Sequence, residues 1–387
     1  MTRPFSADHV LFRECIYYIR PDLHLKKLNL KKTEGEKTHS CICTTFEISN
    51  DWDFGDFILK KSIKFYLTPN KISLLSYIEN PDWIIKNQTR QAYLFGEILS
   101  CLTSFISLSA TKCPRDSEYL EHLQKEYVEQ NFSKDFSLAL PFIANGLGGH
   151  KYLLTKEEEF EIFNELKELI DILKKIDEDT YLFTIEVIRL IHLSILFRRD
   201  DFGLAYLLVV SAIEAVAQKA IKRDSVKEKH PKEKIWTEKA KQDESFHDLF
   251  MEYKASRGKN NFLSKRFIKF ILKYSPPEEW NDIVKTKYDY PDEEWDVYRK
   301  GTKHPIDMTS DELEGVLNKA YNYRSRFVHS AMQPPYKYHE ATMNKFFDIT
   351  SNQNPDSDFE LEIHPTYELL LAIAKNSLIK WMRSKCK

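Results

Sequence analysis

Glycine is scarce, with 10 residues in a chain of 387. An all-β fold full of tight turns needs more positions able to take a positive φ, so the scarcity points to a helix-rich protein. Cysteine is scarcer still: Cys15, Cys41, Cys43, Cys101, Cys113 and Cys386. Six in so long a chain are too few for a disulfide framework and fit a reducing compartment. Charge of one sign is missing too. The formal net charge is −2, which excludes a generic polyanion binder and leaves only a local basic face, where the field near a site is what matters. The most apolar stretch, residues 98–110, is too short and too rich in Ser and Thr to span a bilayer. Residues 1–6 lack the charged-then-apolar pattern of a signal peptide. These absences predict a cytoplasmic protein with no membrane partner.

Metal-ligand clusters are also sparse. Cys41 and Cys43 alternate on one face of an expected strand, with His39 two residues before. That is half of a metal site, and no second Cys/His cluster at ligand spacing completes it. No metal or other cofactor is expected.

What is present divides the chain in two. Residues 1–150 read as a mixed α/β domain. Strand-like runs occupy residues 14–19, 42–48, 57–67 and 72–77, with Thr68-Pro69-Asn70-Lys71 as a hairpin turn. An amphipathic helix over residues 87–110 follows, through Ala92, Phe95, Ile98, Leu99, Leu102, Phe105 and Ile106. Residues 145–150, Asn-Gly-Leu-Gly-Gly-His, hold three of the ten glycines. They lack the Gly-Lys-Ser/Thr ending and the glycine spacing of phosphate-binding loops, so they read as a hinge.

Residues 151–387 read as an all-α bundle, which makes the whole chain α+β. Thr155 and Glu158 form a capping box opening a helix to about residue 175. Helices are expected over residues 180–198, 200–222 and 261–274, the third of the bundle burying Leu204, Leu207, Leu208, Ser211, Ala212, Ala215 and Val216. A second capping box, Thr309 and Glu312, opens a helix to about residue 331, before Pro334-Pro335. The last helix is expected from His364-Pro365, with proline in its first turn. Charge is segregated here: residues 217–241 carry a net +5, residues 254–273 a net +7, and residues 278–296 a net −6. The basic stretches are either an RNA funnel, with Lys265, Arg266, Lys269 and Arg326 as contacts, or solvated helix faces. Phe262, Phe267 and Phe270 recur at helical spacing and read as core rather than as base-stacking platforms.

The late helix carries Tyr321-Asn-Tyr-Arg324-Ser325-Arg326-Phe-Val-His329. Metal-free RNA cleavage needs a proton taken from the 2′-hydroxyl, the phosphorane charge stabilised and a proton given to the 5′-oxygen. Histidine titrates near neutrality and serves as base or acid, while arginine offers a planar fork that fits a phosphate. His329 falls in the last turn, where the helix dipole favours imidazolium. Arg324 and His329 stand about 140° apart around an ideal helix, so they share a groove only if another surface packs between them; a facing copy of the helix would do that. By spacing alone Arg326 is as good a partner for His329 as Arg324. Glu214 interrupts an apolar stripe, where an unpaired charge would be expensive; it reads either as a partner for a site arginine or as a surface carboxylate paired with a lysine.

This stretch resembles the Arg-x4–6-His signature of the HEPN superfamily, and is most similar to its ApeA-like branch, Tyr-x-x-Arg-Ser-x-x-Val-His-Gly. Ser330 stands where that branch has glycine. Upstream, residues 208–216 resemble the branch's Ala-Leu-Glu-x-Leu helix, residues 188–202 the helix before it, and residues 262–268 its Leu-x-x-Arg element. The resemblance covers residues 155–385, with a long insertion at 217–260, and leaves residues 1–150 uncovered. It implies a metal-independent endoribonuclease in which Arg324 binds phosphate and His329 is the acid/base. Ser325, Glu214 and Tyr321 would support them, Glu214 as partner of the arginine. It further implies a homodimer with a composite site, RNA as substrate, and a role in abortive infection, with the N-terminal domain either sensing a phage-derived trigger or restraining the nuclease. The alternative is a non-catalytic HEPN module for dimerisation or RNA or nucleotide binding.

Overall fold

The computed structural model describes residues 12–27, 29, 35–68, 71–85, 93–113, 143–144, 154–226, 230, 232–259, 262–285, 304–330, 345–352 and 360–386. The glycine-rich residues 145–150, the centre of the Pro69-Asn70 turn, the Pro334-Pro335 pair and most of the acidic 278–296 stretch lie outside these. The fold is α+β. By packing the chain forms two compact units, residues 1–208 with 382–387, and residues 209–381.

The first unit holds a mixed-length antiparallel sheet. Its strands are β1 (His39–Thr44), β2 (Trp52–Asp53), β3 (Ile58–Leu59), β4 (Ile63–Thr68), β5 (Lys71–Glu79), β6 (Thr111–Lys112) and β7 (Ile143–Ala144). β5 is the hub. It pairs with β1, β3, β4 and β7, and Thr68 pairs with Lys71 across the expected hairpin. Residues 14–19 are not a strand. Residues 12–15 make one helical turn, and Cys15, Ile16, Tyr18 and Ile19 are all buried, a pattern that period-two alternation does not produce. The short α1 (Pro21–Lys27) follows.

Helix α2 (Tyr93–Ser107) packs on β1. Phe95, Ile98, Leu99, Leu102, Phe105 and Ile106 are all buried on it. The close approach depends on Gly96, where a Cβ would stand 2.8 Å from the Cys41 carbonyl oxygen and 2.9 Å from Cys113 Sγ. Cys41 and Cys43 are buried thiols in this layer, pushed upward in pKa by burial, and among the described residues no group of three or more His, Cys, Asp or Glu is placed to hold a metal ion.

Helices α3 (Lys156–Lys175) and α4 (Glu178–Phe197) also belong to this unit and pack on α2. The Thr155/Glu158 capping box forms as expected from the sequence, and Asp177 caps α4 by accepting from the Thr180 amide at 2.9 Å. Glu159 on α3 is buried with its charge well provided for, accepting from the Ser49 amide at 2.9 Å and Trp52 Nε1 at 3.2 Å.

His192 on α4 is buried, and burial holds its pKa down at about 3, with Lys112 and Arg189 acting the same way. The unfolded chain takes up this proton below about pH 6.5, while the folded chain refuses it until far lower pH. Folding stability from this group is therefore complete above pH 6.5 and falls as pH drops, at up to about 1.4 kcal/mol per pH unit. Melting curves at pH 7.5 and pH 5 are expected to show a larger acid loss for the wild type than for His192→Phe; equal losses would contradict this account.

Helix α5 (Phe202–Ala220) contains the division between the units, after Leu208. The side chains it buries are Ala205, Tyr206, Val209, Val210, Ala212, Ile213, Glu214, Val216 and Ala217. Of the stripe expected from the sequence, only Ala212 and Val216 are buried, and Leu204, Leu207, Leu208, Ser211 and Ala215 are half-buried. α5 is apolar nearly all round, so periodicity had little contrast with which to choose a face. Both α4 and α5 are long and apolar enough to cross a membrane, but about half of each apolar window is buried within the fold, 50% and 56%.

The second unit continues with α6 (Glu233–Gln242), α7 (Glu244–Lys259), α8 (Leu263–Tyr274), the single turn α9 (Trp280–Ile283) and α10 (Ser310–Ser330). Thr309 and Glu312 form the expected box at the head of α10, Thr309 N donating to Glu312 Oε2 at 2.8 Å and Glu312 N to Thr309 Oγ1 at 3.3 Å. This half is not wholly helical. β8 (Phe347–Asn352) and β9 (Glu360–Pro365) form an antiparallel hairpin, with His364 and Pro365 ending β9. The last helix, α11 (Tyr367–Arg383), starts later than expected, because Thr366 caps it by accepting from the Leu369 amide at 3.1 Å.

Candidate active site

Three helices of the second unit meet around Glu214. α5 presents it from a stretch in which Ile213, Val216 and Ala217 are also buried, and Glu214 itself is 4% exposed. A charge so placed is costly unless opposed by another. α10 supplies the opposing charge. Arg324 Nε lies 3.2 Å from Glu214 Oε2, with the carboxylate side chain 5% and the arginine side chain 27% accessible. The two atoms make a close ion contact without hydrogen-bond alignment, and among the described residues neither has a hydrogen-bond partner. The other carboxylate oxygen, Oε1, accepts from Gln218 Nε2 at 3.2 Å, one turn along α5.

Tyr321 stands one turn before Arg324. Its phenol is pushed up in pKa, by burial first and by the Glu214 charge second, with Arg324 opposing both. Its ring packs on Phe267 of α8 at 5.8 Å. Glu214, Tyr321 and Arg324 thus form one cluster.

Arg326 belongs elsewhere. It is exposed, and its guanidinium sits 5.9 Å from the centre of the Tyr323 ring. Tyr323 in turn reaches β9, its hydroxyl 3.2 Å from His364 Nε2. The geometry therefore distinguishes two arginines that spacing could not. Ser325 is half-buried. His329 is exposed in the last turn of α10.

The residues expected to contact RNA from α8 divide. Lys265 is exposed. Arg266 donates from Nε to the Ile221 carbonyl at 2.8 Å and from Nη2 to the Gln218 carbonyl, and Lys269 Nζ donates to the Ser225 carbonyl at 2.8 Å. Those carbonyls are at and just beyond the C-terminal end of α5, where unsatisfied acceptors and the dipole both attract cations. Phe267 and Phe270 are fully buried, so they are core. Sequence reasoning missed Gln218, whose only local signal is its four-residue offset from Glu214, and the Tyr323–His364 contact, which joins positions far apart in the chain.

Comparison of the chain with family models, with curated proteins and with solved structures gives no match in any of the three.

Proposed function

We propose that this protein is a metal-independent endoribonuclease of the HEPN type, working as a homodimer. The observation that carries the reading is the Glu214–Arg324 contact. Of two arginines near His329, the one at the motif position is held at 3.2 Å by a buried carboxylate while a quarter of its side chain remains open to solvent. A guanidinium fixed along its Nε edge is pre-oriented to receive phosphate oxygens.

What α10 leaves exposed supports a dimer. From Tyr321 to His329 none of its residues is buried, and Val328 is 53% exposed. A second α10 packed on these turns brings two Arg324 and two His329 side chains to one groove. There the 2′-oxygen attacks phosphorus as one imidazole takes its proton. The bond from phosphorus to the 5′-oxygen breaks, and an imidazolium supplies the proton that oxygen needs. Arg324 stabilises the charge on the phosphorane. The products are a 2′,3′-cyclic phosphate and a 5′-hydroxyl. The N-terminal region would sense a phage-derived trigger in the cytoplasm, and the RNA cut would be host or phage RNA in an abortive-infection response.

The test is cleavage of RNA by the purified chain in EDTA, with end-group analysis. Cyclic phosphate ends formed without metal are expected. Cleavage that stops in EDTA, or products with 3′-hydroxyl ends, would contradict the reading.

A further inference from the structure

Arg266 lies in the most basic stretch of the chain, yet its guanidinium faces backbone. It donates to the carbonyls of Gln218 and Ile221 at the end of α5, and so ties α8 to the last turn of the helix that carries Glu214. The next residue, Phe267, is fully buried and packs on Tyr321 of α10. The triangle closes where Glu214 meets Arg324. Gln218 occupies two of these links. Its backbone carbonyl takes the Arg266 donor, and its side chain donates to Glu214 Oε1.

We infer that Arg266 and Gln218 are positioning residues for the Arg324 guanidinium, acting through Glu214. The kinetic consequence rests on the ribonuclease reading above; the geometric one does not. Glu214 has rotatable bonds and a carboxylate that, among apolar neighbours, would otherwise turn freely toward the arginine. The Gln218 amide fixes one oxygen, which leaves Oε2 for Arg324. Arg266 fixes where the last turn of α5 sits against α8, and so against α10, which α8 meets where Phe267 packs on Tyr321. An arginine serves here better than a lysine because one planar fork reaches two carbonyls of the same turn at once.

This inference separates Arg266 from the RNA-contacting lysines. A phosphate contact contributes to binding and to its salt dependence. A positioning residue changes the rate after binding.

The experiment uses the full chain with Arg-selective isotope labelling, reading the Nε–Hε correlation of Arg324, identified by its loss in Arg324→Lys. Gln218→Met removes the donor to Glu214 at an exposed position and leaves the backbone carbonyl in place. Arg266→Lys keeps the charge and removes the fork, and is preferred to Arg266→Ala, which risks unfolding the α5–α8 junction. Both variants are expected to shift the Arg324 correlation while retaining wild-type circular dichroism. On RNA, kcat is expected to fall by about tenfold with KM changed by less than about twofold. Gln218→Met added to Glu214→Gln is expected to cost nothing further, as for residues acting through one another. An Arg324 correlation unmoved in both variants overturns the inference whether or not the protein cuts RNA. A raised KM with unchanged kcat overturns it in favour of an RNA contact. A wild type that cuts no RNA overturns the ribonuclease reading, and the Arg324 correlation still decides the positioning.

Discussion

Arg324→Ala is expected to lose both stability and activity, and the double variant Glu214→Gln/Arg324→Ala to recover only the first. Removing the arginine leaves a carboxylate 5% accessible with its opposing charge gone. The remaining donor, Gln218, is neutral. A buried charge stripped of its partner costs about 2–4 kcal/mol, set below the fully buried range because the arginine side of this pair is partly hydrated. Glu214→Gln removes the charge and keeps the shape, so melting of the double variant is expected to approach wild type. Activity is not expected to return, because the guanidinium that stabilises the phosphorane is gone. A double variant that regains cleavage would show that Arg324 matters only as a counter-charge. Arg326→Ala serves as the control: exposed over the Tyr323 ring, it is expected to cost less than about 0.5 kcal/mol in stability.

The site was legible in the sequence to the extent that its geometry is local. The capping boxes at Thr155 and Thr309 were readable because each is completed by a glutamate three residues on, and both form. The start of α10 followed from the second of them. The choice between Arg324 and Arg326 was not readable, because it is made by Glu214 on a helix more than a hundred residues earlier. Where the Arg266 and Lys269 side chains go was not readable either, because a basic run has the same composition whether it faces phosphate or the carbonyls at a helix end. The β8–β9 hairpin escaped notice for a different reason. His364-Pro365 carries the mark of a helix start, and the strand it ends pairs with a partner across a seven-residue break. Thr366, the residue after the proline, carries the actual cap.

His329 is the residue on which mechanism and stability part most cleanly. It is exposed, in the last turn of α10, so its replacement by alanine is expected to leave the melting temperature within a degree or two. Proton transfer by a positioned histidine contributes about a hundred- to ten-thousandfold, and a dimer that loses both copies loses acid and base together. A loss of about a thousandfold or more in kcat is therefore expected against an unchanged fold.

The most direct test is a time course of RNA cleavage in EDTA by wild type and His329→Ala at equal concentration, with product ends identified. The account predicts 2′,3′-cyclic phosphate products from the wild type and essentially none from the variant. Equal cleavage by both proteins would contradict it.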